Sequence, residues 1–175
     1  MDFETRGQRF RDSYAYIRQM SERFPRFDSA LGRAHGDVDL LPKPAGGRLP
    51  MLVTGGSQQP PDWPVQHGDG WMIYPREAGV QAQIVDDWRT RCLEVSGVPK
   101  PVMQPLYVDL ADDPDAPATP IHLGFRLGVH ALVEYLTALR AGGVNHVALN
   151  LRFNRADIDA TLDRLAAEVL PSFSE

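Results

Sequence analysis

Apolar residues along this chain follow two spacings in turn, one typical of helices and the other typical of strands. Recurrence every three to four residues predicts four amphipathic helices. Their apolar faces are Phe3, Phe10, Tyr14, Ile17 and Phe24 in the first; Val80, Ile84, Trp88, Cys92 and Val95 in the second; Leu127, Ala131, Leu132, Tyr135, Leu136 and Leu139 in the third; and Ile158, Leu162, Leu165, Ala166, Val169 and Leu170 in the last.

Short apolar runs bounded by glycine and proline predict four strands between these helices. They lie at residues 49–54, 71–74, 101–110 and 144–151. Pro105 is expected to interrupt the third strand, because proline cannot donate to a sheet ladder. Pro60 and Pro61 open a short helix after the first strand, since proline is tolerated in the first helical turn. Asn154 is expected to cap the last helix.

The order of these elements predicts one α/β domain over residues 1–175. A leading helix occupies residues 1–24, an irregular connection follows at 25–48, and four strand-plus-helix units fill 49–175. Strands that alternate with helices predict a parallel sheet with right-handed crossovers. Both an open doubly wound sheet and a section of a barrel satisfy this pattern.

Composition narrows the functional classes. Of the 175 residues, 43% are hydrophobic and 23% are charged, which is ordinary for a globular domain. The net charge of −5, with no basic stripe, argues against nucleic acid. The single cysteine excludes an internal disulfide, and no zinc ligand set is recognised. Apolar runs are far shorter than a membrane span, and the first residues lack a signal core, so a cytoplasmic protein is predicted.

Three motifs occur in a recognisable order. Thr54-Gly55-Gly56-Ser57-Gln58 is followed by the turn 67–71 (His-Gly-Asp-Gly-Trp) and then by 74–76 (Tyr-Pro-Arg). Near the end, residues 141–150 (Ala-Gly-Gly-Val-Asn-His-Val-Ala-Leu-Asn) join the last two predicted helices. Over residues 49–173 the chain resembles the luciferase-like monooxygenases, the flavin-dependent barrel oxidoreductases of the bacterial luciferase superfamily.

The resemblance implies the C-terminal half of a TIM-type (β/α) barrel, because only four of eight strands are present. It implies reduced FMN and oxygen acting on a small organic substrate, with a deazaflavin as the alternative cofactor. A flavin reductase would then be a partner. The chain would be a fragment, a split gene product, or a half-barrel that pairs with a second copy or with a missing N-terminal half. The alternative is a non-catalytic association module or an inactive fragment. A doubly wound nucleotide-binding domain is weaker, since no Gly-x-Gly-x-x-Gly turn follows the first strand.

The cofactor site predicted from these motifs lies after the first strand. Gly55 and Gly56 would let an anion approach the backbone closely, and the next helix would offer N–H groups to a flavin phosphate. Ser57 would add a hydroxyl donor, and Gln58 completes the loop. Trp71 on the second strand and Arg76 just after it are further candidate cofactor contacts, Arg76 through a charge-assisted hydrogen bond.

Other polar residues have weaker predicted roles. His67 and Asp69 belong to a turn expected at the opposite end of the barrel, away from the chemistry. His122 is a candidate for polarising a substrate, against the simpler interpretation as a surface histidine. Asn150 and Arg152 end the last strand at the active edge. Cys92 is predicted to be a buried, inert thiol. No catalytic residue and no metal ligand is assigned.

Overall fold

The computed structural model describes residues 4–174, and five α-helices and eight strands lie within that range. In chain order they are α1 (Arg6–Met20), β1 (Arg26–Ser29), β2 (Gly32–His35), β3 (Leu52–Thr54), α2 (Asp62–His67), β4 (Gly70–Met72), α3 (Ala78–Ser96), β5 (Val102–Leu110), β6 (Thr119–Ile121), β7 (Gly124–Leu127), α4 (Val129–Ala141), β8 (His146–Asn150) and α5 (Ile158–Arg164). A π turn (Leu165–Val169) and a 3-10 turn (Leu170–Ser172) extend the last helix.

The main sheet is parallel, as the alternation of strands and helices predicts. β3 pairs with β4, β4 with β5, and β5 with β8, all in parallel. The carboxyl half of β5 also pairs in parallel with β7, which forms an antiparallel hairpin with β6. The hairpin of β1 and β2 is a separate two-stranded sheet. The fold is therefore a mixed α/β fold with a parallel sheet.

The two faces of the parallel sheet differ in burial. Side chains of alternate residues point to one face, where Val53, Ile73, Val102 and Leu106 are buried under helices α2 to α4 and the π turn. We call this the outer face. The opposite side chains, on what we call the inner face, are exposed or half-buried, with Asp109 the exception. The inner-face residues are Leu52, Thr54, Met72, Tyr74, Met103, Pro105, Tyr107, Asp109, His146, Ala148 and Asn150.

Pro105 does not interrupt β5, contrary to the prediction. The N–H of Ile73 donates to the carbonyl of Met103, and the N–H of Tyr107 donates to the carbonyl of Leu123. Backbone groups alternate between the two edges of a strand, so residues 103, 105 and 107 face the same edge. Pro105 therefore falls between the end of β4 and the start of β7. Its missing N–H costs no ladder bond.

The predicted irregular connection at 25–48 contains the β1–β2 hairpin. Its strands are short and mostly polar, and no Asn-Gly or Asp-Gly turn announces them. Phe27 packs edge-on against Tyr16 of α1, at 5.4 Å between ring centroids, so tertiary packing holds the hairpin. The leading helix ends at Met20 rather than at 24, and Phe24 lies outside it with a φ of 46°. Phe3 lies outside the described residues.

Two further details correct the sequence prediction near the end of the chain. Asp157, not Asn154, caps α5 by accepting a hydrogen bond from the N–H of Ala160. The Asn154 side chain instead ties β5 to α5: its Oδ1 accepts from the N–H of Leu110 at 3.0 Å, and its Nδ2 donates to the Thr161 hydroxyl at 2.9 Å. Strand β6 (Thr119–Ile121) lies outside the four strands predicted from the sequence.

The long helices agree with their apolar periodicity. α3 buries Val85, Trp88 and Cys92, although Val80 and Val95 at its ends are exposed. Helix α4 ends at Ala141, and Gly142 is its C-cap. The division of residues 1–175 into one domain stays a prediction.

Candidate functional site

The carboxyl ends of the parallel strands meet at one edge of the sheet, where α/β proteins commonly bind ligands. We call it the carboxyl edge. Four connections leave the strands there, and they carry most of the polar residues singled out in the sequence. These connections are residues 55–61 after β3, 73–77 after β4, 111–118 after β5 and 151–157 after β8.

The 55–58 loop has an unusual backbone. Gly55, Ser57 and Gln58 have φ values of 55°, 46° and 54°. This left-handed conformation costs non-glycine residues about 1–3 kcal/mol each, and such strain clusters at ligand-binding sites. The Gly55 N–H donates to the Met72 carbonyl at 2.8 Å, which joins the loop to β4.

Three successive backbone N–H groups of this loop, those of Gly56, Ser57 and Gln58, have no hydrogen-bond partner within residues 4–174. A Cβ added at Gly55 or Gly56 would meet no atom within 4 Å, so there is open space beside them. Consecutive free N–H groups in a turn form a concavity suited to an anion. The Ser57 hydroxyl donates to the Thr54 carbonyl at 2.8 Å, so it would have to give up that bond to contact a ligand.

The short helix that follows contributes little to an anion site, contrary to the expected helix N-terminus. Helix α2 has only six residues, with Pro61 at its N-cap and Asp62 in its first turn. Pro60 and Pro61 have no N–H to donate, and the Asp62 carboxylate would repel an anion. An anion bound beside residues 55–58 would therefore be held by the loop rather than by helix α2.

Helix α1 holds the loop from the other side. The Gln59 side chain donates to the Gly7 carbonyl at 2.9 Å and accepts from Arg11 at 2.7 Å. A Cβ at Gly7 would lie 2.9 Å from the Gln58 carbonyl oxygen, so only glycine allows this close approach. The loop conformation is therefore fixed by packing rather than by its own sequence alone.

Trp71 contacts the loop from the outer face. Its indole N–H donates to the Gly55 carbonyl at 2.8 Å, and its ring stacks on Trp88 with centroids 4.9 Å apart. The two tryptophans form part of the wall of a cleft of about 620 Å³ between α2 and α3, which Gly55 and Gly56 also line. Trp71 thus positions the loop, while its predicted contact with the cofactor stays a prediction.

Arg76 lies on the same edge but is not bonded to the loop. Its guanidinium donates to the Tyr74 carbonyl at 3.2 Å and is exposed. Tyr74 is exposed on the inner face, whereas Trp71 faces the helices, so the spacing of three correctly places these two aromatics on opposite faces. The cofactor role of Arg76 stays a prediction.

A second polar cluster at this edge was not identified in the sequence. Asp109 is 1% exposed on the inner face near the end of β5. Arg126 donates to its Oδ2 at 2.8 Å, the Nε of Arg155 lies 3.2 Å from the same oxygen, and the N–H of Arg155 donates to Oδ1 at 3.1 Å. The only signal in the sequence was a carboxylate inside an otherwise apolar strand.

Aromatic rings stand next to this cluster. Tyr107 precedes Asp109 by two residues on the same face, and its ring centroid lies 5.0 Å from that of Phe153 and 6.0 Å from that of His122. We call these three residues the aromatic platform. Asn150 is in register with Tyr107, and its side chain accepts a hydrogen bond from the N–H of Arg152. The structure therefore brings His122, Asn150 and Arg152 to one place.

The remaining candidates lie elsewhere or serve packing. His67 stacks on Trp63 at the end of α2, before β4, and so lies at the opposite, amino edge. Cys92 is fully buried, and burial raises the pKa of its thiol, which keeps it protonated. Within residues 4–174, no group of three or more His, Cys, Asp or Glu side chains is placed to hold a metal ion. No helix in the same range is long and apolar enough to cross a membrane, and the cytoplasmic location stays a prediction.

Comparison with solved structures finds 43 matching chains. One is an F420-dependent secondary alcohol dehydrogenase in complex with an F420–acetone adduct; its TM-score is 0.69 at 12% sequence identity, over 100% of this chain. This similarity shows the fold. The chain spans 64% of the length of that structure. No family model and no curated protein matches the sequence.

Proposed function

We propose that this chain is part of a flavin-type oxidoreductase and that its 55–58 loop binds the phosphate of the cofactor. The observation that carries the proposal is the loop: three backbone N–H groups without a partner in the described chain, beside open space. The loop lies at the edge where (β/α) barrels bind their ligands. The similarity in fold to an F420-dependent dehydrogenase supports the proposal.

Two cofactors suit this loop, FMN and a deazaflavin of the F420 type, because each carries a phosphate on the chain attached to its ring. We favour the deazaflavin, since F420 is the cofactor named for the solved structure of similar fold. When bound, either ring supplies the redox chemistry, and the protein supplies binding and orientation. The N–H groups of Gly56, Ser57 and Gln58 would hold the phosphate.

The substrate in this proposal is a small organic molecule. With a deazaflavin the reaction is hydride transfer, as in a dehydrogenase. With reduced FMN and oxygen it is a monooxygenation, and a flavin reductase becomes a partner. The open inner face, with Tyr74, Tyr107 and His122 along it, is where such a substrate would lie beside the cofactor ring. No residue is assigned a catalytic role.

A pair of variants at Gly56 tests the phosphate assignment. Gly56 tolerates a side chain, because nothing lies within 4 Å of its Cβ position and its φ is not left-handed. Gly56→Asp places a negative charge beside the bound phosphate, and Gly56→Asn is its neutral control of equal size. FMN and F420 binding are measured by fluorescence anisotropy. We expect Gly56→Asp to weaken binding at least tenfold relative to Gly56→Asn, since charge-assisted hydrogen bonds are worth about 1.5–3 kcal/mol.

Equal affinities of the two variants for both cofactors would contradict the phosphate assignment. Circular dichroism and urea unfolding of both variants establish that they are folded before the titration. Failure of the folded wild-type chain to bind either cofactor would favour the second candidate function.

That second candidate is a non-catalytic half-barrel that associates with another segment. It is favoured by the open inner face and by the outer edges of β3 and β8, which pair with no strand in the described chain. Such edges are templates for strand pairing. A (β/α)₈ barrel has eight strands and eight helices. Two copies of this chain would supply eight barrel strands, β3, β4, β5 and β8 from each, but more than eight helices, because each copy has five. A segment of four strands and three helices fits better.

Light scattering during size-exclusion chromatography, with hydrogen exchange of β3 and β8, tests this second candidate. A monomer whose β3 and β8 exchange rapidly is expected if another segment completes the barrel. A stable homodimer with protected edges would show that a second copy does so instead.

A further inference from the structure

We propose that Arg126 and Arg155, held by Asp109, bind a carboxylate on the substrate of this protein. The inference deepens the proposed function by naming a substrate class. It rests on the proposed function only where it treats the bound carboxylate as part of the substrate. The binding site itself is argued from the cluster at the end of β5 and the aromatic platform beside it.

The cluster around Asp109 has an excess of positive charge. One buried carboxylate contacts two guanidinium groups, so the cluster carries one positive charge in excess. The Asp109 side chain is 2% exposed, while those of Arg126 and Arg155 are 37% and 74% exposed. The excess charge therefore faces the open side of the sheet, where a ligand can reach it.

The guanidinium groups of Arg126 and Arg155 have hydrogen-bond donors that no partner in the described chain uses. A guanidinium has five N–H donors in a rigid fork that matches the two oxygens of a carboxylate. Within residues 4–174, the Arg126 guanidinium makes one hydrogen bond, which goes to Asp109. The Arg155 guanidinium contacts Asp109 through Nε only. Because Asp109 is fixed by β5, it orients both arginines and leaves most of their donors available.

The aromatic platform lies beside the arginines. Arg126 is in register with Asp109, and Gly124 is in register with Tyr107, so Arg126 and Tyr107 are diagonal neighbours on adjoining strands. The backbones of such neighbours are about 7–8 Å apart. A planar ring stacked on Tyr107, with Phe153 at its side, would place a carboxylate attached to it within reach of Arg126. The chemistry fits an aromatic or unsaturated carboxylic acid.

The test uses 4-fluorobenzoate as the probe and 4-fluorobenzamide as its neutral match. Binding is followed by fluorine NMR line broadening, with no cofactor present, so the result does not depend on the phosphate site. We expect saturable binding of the benzoate and at least tenfold weaker binding of the benzamide. Arg126→Met and Arg155→Met should each weaken benzoate binding at least tenfold.

Arg48→Met is the matched control. Arg48 is also one of two arginines on a single aspartate, Asp69, but at the opposite edge of the sheet. Its loss should leave benzoate affinity unchanged. Arg155 is exposed, so Arg155→Met keeps the test valid even if Arg126→Met does not fold.

Four results would overturn the proposal. One is equal binding of benzoate and benzamide, and another is benzoate affinity that survives both arginine substitutions. The third is loss of FMN or F420 binding in Arg155→Met together with its retention in Gly56→Asp, which would make the arginines the cofactor phosphate site. Absence of saturable benzoate binding to the folded wild type also contradicts it.

Discussion

Two aspartates in this protein each contact two arginines, at opposite edges of the same sheet. Asp69, at the amino edge, contacts Arg18 and Arg48 and accepts the N–H of Met51. Asp109, at the carboxyl edge, contacts its two arginines and accepts one backbone N–H. In charge and composition the two clusters are alike.

They differ in what the arginines do with their other donors. Arg18 also donates to the Tyr14 hydroxyl and to the Leu49 carbonyl. Its guanidinium donors are therefore used within the protein, where they join α1 to the segment before β3. The arginines on Asp109 have no such further bonds in the described chain. Arg48 resembles the arginines on Asp109, since it makes no further hydrogen bond in the described chain. The difference between a structural clamp and a candidate binding site therefore lies in Arg18, whose donors are used within the protein, and not in the charge of the cluster.

The largest expected effect breaks the clamp at the amino edge. Asp69→Asn removes the charge that pairs with Arg18 and Arg48 while keeping the shape of the side chain. We expect a loss of about 2–3 kcal/mol in the free energy of unfolding, since separating a partly buried, hydrogen-bonded ion pair costs on that order. Urea unfolding measures this loss. The control is Asp62→Asn, which breaks the exposed ion pair with Arg91 and should change the free energy of unfolding by less than about 0.5 kcal/mol. A loss below 0.5 kcal/mol for Asp69→Asn would refute the clamp.

Acid should weaken the same clamp. Burial alone would raise the pKa of Asp69, but hydrogen bonds from Arg18 and from the Met51 N–H, with the charges of both arginines, lower it. A carboxyl whose pKa is lower when folded stabilises the protein above its unfolded pKa, about 3.9, and that stability is lost as pH falls through the folded value. The wild type should therefore lose more stability than Asp69→Asn between pH 5 and pH 3. Parallel pH profiles of the two proteins would contradict this.

The smallest expected effect is at the carboxyl edge, in an exposed pair. His130 contacts Asp115 at 2.8 Å, and this hydrogen bond, with nearby negative charges, raises the pKa of His130. The contribution to stability is present below the ordinary histidine pKa and is lost as pH rises through the raised value. In an NMR titration, Asp115→Asn should lower the His130 pKa toward that of a free histidine. An unchanged pKa would show that the contact does not form in solution.

Elements whose residues share one clear spacing were predictable from the sequence. Helices α3 and α4 follow from the recurrence of apolar residues, and strands β4, β5 and β8 follow from short apolar runs, because burial on the outer face selects apolar residues at those positions. The glycine loop was also placed correctly after β3, since Gly55 and Gly56 mark the end of an apolar run.

Features set by contacts between distant residues were not predictable in this way. The β1–β2 hairpin depends on packing against Tyr16, and the continuity of β5 depends on Pro105 facing a gap between two neighbouring strands. The Asp109 cluster depends on the register of β5 with β7, which brings Arg126 from 17 positions away, and on the connection after β8, which brings Arg155 from 46 positions away. Spacing along the chain carries no information on such pairings.

The most direct measurement of the central claim is an amide NMR titration of the chain with FMN and with riboflavin, which lacks the phosphate. We expect saturable shifts of the Gly56, Ser57 and Gln58 amide signals with FMN and none with riboflavin. F420 should shift the same three signals. Equal shifts with riboflavin, or FMN-dependent shifts confined to residues outside the 55–58 loop, would contradict the claim that this loop is the phosphate site.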